Sequence, residues 1–105
     1  MISKEAIEQA TKTGALNPWT HPKTGQTRYY VKLKNSGAIN VSYYNTGNVS
    51  SASLLGNGIT NSDAKRLLYD KAWVDEAGEW HWENGSLSSD MKAAIEAYYN
   101  EKFSA

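Results

Sequence analysis

Residues 28 to 44 contain two runs in which apolar and polar residues alternate, separated by Asn35-Ser36-Gly37. Alternation with a period of two is typical of β-strands that bury one face, and a three-residue loop with Gly at its left-handed position is common in hairpins. The register that this loop sets places six apolar side chains on one face, in the pairs Leu33 with Ile39, Val31 with Val41, and Tyr29 with Tyr43. We therefore predict an antiparallel hairpin over residues 28 to 44.

The opposite face of this predicted hairpin carries bases and tyrosines but no acid. Tyrosine rings can stack on nucleobases, while lysine and arginine can meet phosphates or carboxylates. An ordinary solvated strand face is the alternative, because many sheets carry Lys and Tyr on their outer side. The predicted partner-binding residues are Lys23, Arg28, Tyr30, Lys32, Lys34 and Tyr44.

The charges are distributed unevenly along a chain of 105 residues whose formal net charge is zero. No Asp or Glu occurs between Gln9 and Ser62, although this segment contains five bases, Lys12, Lys23, Arg28, Lys32 and Lys34. A segment with charges of one sign favours a partner of the opposite sign. The sequence therefore predicts an acid-free surface suited to an anionic partner.

Amphipathic periodicity and capping residues predict three helices. The first covers residues 3 to 13, with Ser3 as its cap and Gly14 as its end. The second begins near Asp63 and ends near Ala72. The third follows Ser88 and continues to about Phe103, and its predicted inner side carries Met91, Ala94, Ile95, Tyr98 and Phe103.

Two further strand regions complete the predicted fold. Residues 49 to 55 should add a third strand to the first hairpin, and residues 73 to 83 should form a second hairpin with Gly78 as the left-handed turn residue. The element order is then α-β-β-β-α-β-β-α. The predicted fold class is α+β, a single compact domain over residues 1–105 with an antiparallel three-stranded meander, a C-terminal hairpin and three helices.

The aromatic residues leave two questions open at this level. The segment from 17 to 27 is predicted to be irregular because of Asn17-Pro18 and His21-Pro22, so Trp19 either closes the edge of the core or belongs to a recognition loop. In the second hairpin, Trp80 and Trp82 point to one side and Glu79, His81 and Glu83 to the other. The two tryptophans are either buried in the core or exposed for contact with a protein partner.

The chain contains no Cys and no recognisable catalytic motif. We therefore predict a non-enzymatic protein without a cofactor or a metal site. Two alternatives stay open: a metal held by Glu79, His81 and Glu83, and acid–base catalysis by His21 and His81. The absence of a signal peptide and of a long apolar run predicts a cytoplasmic protein with no membrane partner.

Three segments carry a family resemblance, namely Asn17-Pro18 through residues 21 to 31 (His-Pro-Lys-Thr-Gly-Gln-Thr-Arg-Tyr-Tyr-Val), residues 57 to 68 (Asn-Gly-Ile-Thr-Asn-Ser-Asp-Ala-Lys-Arg-Leu-Leu), and Trp73-Val74-Asp75. In these segments, about the middle half of the chain, it resembles small uncharacterised proteins of phages and mobile elements in Gram-positive bacteria. The resemblance supplies no catalytic residue. It implies a setting, because compact proteins of this kind are often inhibitors of host defence, including anti-CRISPR proteins.

Three functional hypotheses follow. The first is a phage-type inhibitor that docks its basic aromatic face on a bacterial defence effector, either a protein or a nucleoprotein, in the host cytoplasm. The second is a nucleotide sponge or a single-stranded nucleic-acid-binding protein. The third is a small metal-dependent hydrolase or nuclease that uses His21, His81 and Glu79. The sequence leaves the target and the oligomeric state open, including a homo-oligomer.

Overall fold

The structure, a computed structural model, describes residues 1–32, 39–43, 49–54, 66–67 and 69–104, and for residues 39–43 and 49–54 the backbone alone. The elements with defined bounds in this part of the chain are α1 (Lys4–Thr13), β1 (Leu16–Thr20), β2 (Thr27–Val31), β3 (Ile39–Tyr43), β4 (Val49–Leu54), β5 (Ala72–Val74), β6 (Trp80–Trp82) and α2 (Ser89–Phe103). The strand pairs are all antiparallel. The predicted α+β class is therefore confirmed.

The first helix, α1, begins and ends as its sequence predicts. The Ser3 hydroxyl accepts a hydrogen bond from the Ala6 amide, and Gly14 ends the helix in the left-handed conformation at φ 82°. Ile2, Ile7 and Ala10 are buried on one side, together with Ala6. This apolar stripe packs α1 against the sheet.

Four strands form the main sheet, in the order β1-β2-β5-β6. β2 pairs with β1 on one side and with β5 on the other, so that Val31 lies opposite Leu16 and Tyr29 lies opposite Val74. Among the described strands, β3 and β4 pair only with each other, in a separate two-stranded sheet. The main sheet therefore joins strands that are far apart in sequence.

The predicted hairpin over residues 28 to 44 is wrong in its pairing. Val31 does not pair with Val41, which lies opposite Ala52, and Tyr43 lies opposite Val49 rather than Tyr29. Leu33 and the predicted turn lie outside the described residues. The alternation identified the buried face correctly, because Tyr29 and Val31 both pack against a buried cluster. A period of two defines which face is apolar, but it does not define the partner strand.

The strand β1 occupies part of the segment that was predicted to be irregular. The Ala15 carbonyl accepts from the Lys32 amide at 2.9 Å, and the His21 amide donates to Gln26 at 2.7 Å. Because antiparallel ladders use alternate residues, the amides of Asn17 and Trp19 then point toward β2. The nitrogen of Pro18 points to the open edge of the sheet, where a missing N–H does not disrupt the ladder.

The predicted third strand and middle helix are only partly described. β4 follows β3 and pairs with it, as predicted, with an irregularity between Ser42 and Tyr43. Within the predicted middle helix, the described residues Arg66, Leu67, Tyr69 and Asp70 are helical, while the residues before Arg66 lie outside the described part. The helical segment ends at Lys71, which has a φ of 47°, and Ala72 already belongs to β5.

The second hairpin has the predicted register, with Trp73 opposite His81 and Gly78 in the left-handed region at φ 88°. The following helix, α2, is capped by Ser88, also as predicted. Its inner side differs in one respect, because Tyr99 is fully buried whereas Ala94 is exposed. Among the described residues, no helix has both the length and the apolar character needed to cross a membrane.

Both helices cover the same face of the main sheet. One buried cluster joins α1 to Leu16 and Val74, and a second joins Leu67 and Leu87 to the α2 residues Ile95 and Tyr99. Half-buried side chains contact both clusters, namely Val31, Trp80 and Phe103. The core therefore lies on one side of the sheet, and the opposite side carries the side chains described next.

Candidate functional site: the outer sheet face

Four side chains, one from each strand of the main sheet, stack across its outer face. We call Trp19, Arg28, Trp73 and His81 the aromatic ladder. The Arg28 Cζ atom lies 5.5 Å from the centre of the Trp19 ring and 4.6 Å from that of Trp73. The Trp73 and His81 rings are stacked, with centres 4.2 Å apart and an angle of 15° between their planes.

The order of the strands explains the ladder. β5 lies between β2 and β6, so Arg28 approaches Trp73 from one side and His81 approaches it from the other. Trp73 is only 6% exposed, although it belongs to the face that carries neither α1 nor α2. Trp19 stands at the end of the ladder, on the edge strand, and is 43% exposed. The centre of the ladder is thus buried, and its open end is the solvent-exposed Trp19.

The cation in the ladder already has an anionic partner. Arg28 Nη1 lies 3.5 Å from a carboxylate oxygen of Glu83, and the Tyr30 phenol donates a hydrogen bond to the same oxygen. Burial, and then the hydrogen bond to Glu83, raise the pKa of Tyr30, despite the opposite effect of Arg28. The phenol therefore remains a donor at neutral pH. The Arg28 Nε atom is buried and has no hydrogen-bond partner among the residues that the structure describes.

A second carboxylate fixes the far end of the ladder. Asp75 Oδ2 lies 2.8 Å from His81 Nε2, and its other oxygen accepts the amides of Ala77 and Glu79 at 2.9 and 3.0 Å. Burial acts to raise the pKa of Asp75, but these hydrogen bonds from His81 and the two amides outweigh it and lower that pKa. Asp75 therefore positions His81 and closes the tight turn that contains Gly78.

The prediction of an acid-free face is wrong for the residues that the structure describes. Asp75 and Glu83 both contact the ladder, and Glu83 offsets the charge of Arg28. The error follows from the strand pairing, because the predicted neighbour of β2 was β3, which carries no acid. The actual neighbours β5 and β6 come from the acidic part of the chain. The face is therefore aromatic and nearly balanced in charge rather than basic.

The predicted partner-binding residues do not form a single group. Arg28 and Tyr30 lie together on the outer face, and Lys32 follows β2 directly and is exposed. Lys23 lies in the turn between β1 and β2, where its amide donates to His21 Nδ1 at 3.1 Å. Lys34 and Tyr44 lie outside the described residues. Whether these six residues bind a partner remains a prediction.

Sequence reasoning missed most of the ladder. It placed Trp19 at the core edge or in a loop, and it did not consider Trp73 as an outer residue. One signal was available: Trp73 and His81 occupy facing positions in the correctly predicted second hairpin, on the side opposite Trp80. The position of Trp19 depended on recognising an edge strand that contains Pro18, which is a weaker signal.

Trp80 and Trp82 belong to the core side, which answers the question that the sequence left open. Trp82 Nε1 donates to Glu96 at 3.0 Å and Trp80 Nε1 donates to Asn100 at 2.7 Å. Both rings pack against the buried cluster of α2. Their polar atoms are therefore used within the chain, as is usual for buried tryptophans.

The two histidines have separate structural partners. His21 Nδ1 accepts the amides of Lys23 and Thr24 and so stabilises the turn between β1 and β2, whereas His81 contacts Asp75. Among the described residues, no group of three or more His, Asp or Glu side chains is arranged to hold a metal ion. The arrangement supports stacking and hydrogen bonding.

No protein-family model, no curated protein and no solved structure matches this chain.

Proposed function

We propose that this chain is a small non-enzymatic binding protein that docks its outer sheet face on a protein partner. The proposal is based on the open end of the aromatic ladder, where a 43% exposed Trp19 adjoins Arg28 and its neighbour Tyr30. Tryptophan, tyrosine and arginine are the residue types that most often dominate the binding energy of protein interfaces. A rigid stack also loses little side-chain entropy on binding.

The near balance of charge favours a protein over a nucleic acid as the partner. Glu83 accompanies Arg28, so a phosphate at this position would approach a carboxylate. A protein surface can instead supply apolar groups to Trp19 and a mixture of charges at the rim. The resemblance implies that this partner is an effector of a bacterial defence system, which would make the chain an anti-CRISPR-like inhibitor in the host cytoplasm.

The experiment measures how strongly the wild-type chain and single-substitution variants inhibit bacterial defence systems. The wild-type chain and its variants are co-expressed with a panel of bacterial defence systems, and phage plaque formation is measured. We expect the Trp19→Ala variant to inhibit the defence system about tenfold more weakly than the wild type, or more weakly still. Truncating a residue that dominates the binding energy of an interface costs about 2 kcal/mol or more. The matched control is Tyr69→Ala, since Tyr69 is 62% exposed and lies outside the main sheet. Equal inhibition by wild type and a folded Trp19→Ala variant would refute the docking surface.

The nucleic-acid alternative has one observation in its favour. An exposed Trp19 ring beside a guanidinium is a suitable platform for stacking a nucleobase. Titration with labelled single-stranded oligonucleotides and cyclic nucleotides tests this alternative directly. Binding that weakens steeply with salt and requires Trp19 would favour it over protein docking.

The hydrolase hypothesis needs His21, His81 and Glu79 to act on one substrate. The geometry offers no argument for it, because each histidine is bonded to its own turn or carboxylate. A His21→Ala, His81→Ala double variant tests it, since unchanged nuclease or hydrolase activity would exclude both side chains.

A further inference from the structure

A cavity of about 310 Å³ lies beside the main sheet, close to the end of the helical segment that precedes β5. Its apolar lining in the described part of the chain comes from four side chains, Val31, Leu67, Ala72 and Tyr99. Three of these are buried, and Tyr99 is fully inaccessible. This volume is within the lower range of pockets that hold small molecules.

The polar lining of the cavity consists of Tyr30, Glu83 and Lys71. Glu83 is already engaged, because it accepts the Tyr30 phenol and pairs with Arg28. The Lys71 ammonium has no hydrogen-bond or ion-pair partner in the part of the chain described by the structure. Among these lining residues, the charge without a partner is therefore the positive charge of Lys71.

The backbone of Lys71 is held in place from both sides. Its amide donates to the Leu67 carbonyl at 3.2 Å, and its carbonyl accepts from Glu83 at 3.4 Å. Its φ of 47° lies in the left-handed region, which glycine usually occupies at the end of a helix. A lysine therefore stands at a cavity wall in a conformation that costs free energy, and residues of this kind are concentrated at functional sites.

We propose that this cavity binds a small monocarboxylic acid with an apolar body. The apolar body contacts Val31, Leu67 and Ala72, with the fully buried Tyr99 behind them, and the carboxylate pairs with the Lys71 ammonium. A primary amine of the same length would carry the same charge as the Lys71 ammonium, and the carboxylate in the described lining, Glu83, already pairs with Arg28. Tyr30 belongs to both sites, but Trp19, on which the docking proposal depends, does not line the cavity, so the two proposals can be tested separately.

The first experiment titrates the full chain with octanoate, octylamine and octanol by isothermal titration calorimetry. We expect octanoate to bind with one-to-one stoichiometry, and the amine and the alcohol to bind at least tenfold more weakly. Lys71→Met should weaken octanoate binding roughly fivefold, because a partly exposed ion pair is lost. Lys23→Met is the matched control and should bind octanoate as the wild type does, since Lys23 lies in the turn between β1 and β2.

The second experiment fills the cavity. Ala72→Leu places three additional carbon atoms at the apolar wall and should abolish octanoate binding, with folding checked by circular dichroism. Trp19→Ala should leave octanoate binding unchanged, which separates this proposal from the docking proposal. Absence of octanoate binding at millimolar concentration, equal binding of octanoate and octylamine, or wild-type affinity in a folded Ala72→Leu variant would overturn the assignment.

Discussion

Trp73 shows how a side chain can be buried on the face of a sheet that carries neither α1 nor α2. The Arg28 guanidinium covers one side of its indole and the His81 ring covers the other. Glu83 and Asp75 then hold these two covering groups in position. A cation stacked on an aromatic ring contributes about 0.5–2 kcal/mol, depending on how far it is removed from water. The outer face therefore has a small core of its own, and Trp19 extends it to the surface.

Lys71 is predicted to lower the stability of the fold through its backbone conformation. Lys71→Gly should raise the free energy of unfolding by about 0.5–1 kcal/mol, because glycine adopts a positive φ without a Cβ clash. Lys71→Ala removes the same side chain but keeps the Cβ, so it should give no increase. Urea denaturation followed by circular dichroism measures both, and equal stability of the two variants would contradict the role of φ.

Gly25 and Gly78 allow backbone strain to be separated from steric contact. Both have positive φ, 73° and 88°, but a Cβ added at Gly25 would meet open space, whereas one added at Gly78 would overlap the Ile2 carbonyl oxygen. Gly25→Ala should cost about 1 kcal/mol from strain alone. Gly78→Ala should cost at least about 2 kcal/mol more, since the Ile2 amide also donates to the Gly78 carbonyl. Thermal unfolding of the two variants measures the difference, and similar melting temperatures would exclude this contact as a constraint.

The strand β1 forms an exposed edge of the main sheet, and Pro18 limits what can pair with it. The nitrogen of Pro18 faces outward, so an additional strand would find no donor at that position. Pro18→Thr restores the outward N–H and should increase self-association with concentration. Asn17→Thr is the matched control, because the Asn17 amide points toward β2. Light scattering after size-exclusion chromatography measures the association, and monomers at all concentrations for both variants would contradict the prediction.

The elements that the sequence predicts well are those with short-range determinants. Ser3 and Gly14 bound α1, Ser88 begins α2, and Gly78 fixes the turn of the second hairpin, so each boundary depends on a few adjacent residues. The same reasoning failed for β2, because Tyr29 and Val31 define an apolar face that suits any strand with matching alternation. Leu16 and Val74 are the actual neighbours, and neither is adjacent to β2 in sequence.

The candidate site was less predictable than the fold for the same reason. Arg28 and Tyr30 were identified as surface residues, but their environment depends on Glu83, which is more than 50 residues away in sequence. Local composition suggested a basic surface, whereas the strand order brings acids to it. Electrostatic character is a property of the assembled sheet, and it could not be inferred before the pairing of β2 was known.

On the scale of the whole molecule, Asp70 makes stability depend on pH. This fully buried carboxylate accepts the amides of Ser86 and Leu87 at 2.9 and 2.8 Å, and Lys92 Nζ lies 3.8 Å away. Burial acts to raise its pKa, but the hydrogen bonds from the Ser86 hydroxyl and the two amides outweigh burial and lower it. A carboxylate with a lowered pKa stabilises the folded state above its unfolded value of about 3.9, and this contribution is lost as the pH falls through the folded value.

We therefore expect the free energy of unfolding to fall as the pH decreases below about 4. Asp70→Asn should be less stable at pH 7 by roughly 2 kcal/mol or more, because a buried acceptor is exchanged for a poorer one. The free energy of unfolding of Asp70→Asn should fall less steeply with decreasing pH than that of the wild type. Asp75, whose pKa is also lowered, accounts for part of the pH dependence that remains. Urea denaturation between pH 2 and pH 7 measures these slopes, with the exposed Glu101→Gln variant as control. An unchanged slope in Asp70→Asn would remove Asp70 as the acid-sensitive group.

The connection between Asp70 and the loop before α2 has a consequence for the order of folding events. Asp70 and Leu87 are 17 residues apart, Trp82 and Glu96 are 14 apart, and Trp80 and Asn100 are 20 apart. Closing such short loops costs little chain entropy, so the last third of the chain can assemble rapidly by itself. We expect β1 and β2 to join later, because β2 has to find β5 over more than 40 residues. The outer face needs all four strands, so we expect it to form after the second hairpin and α2.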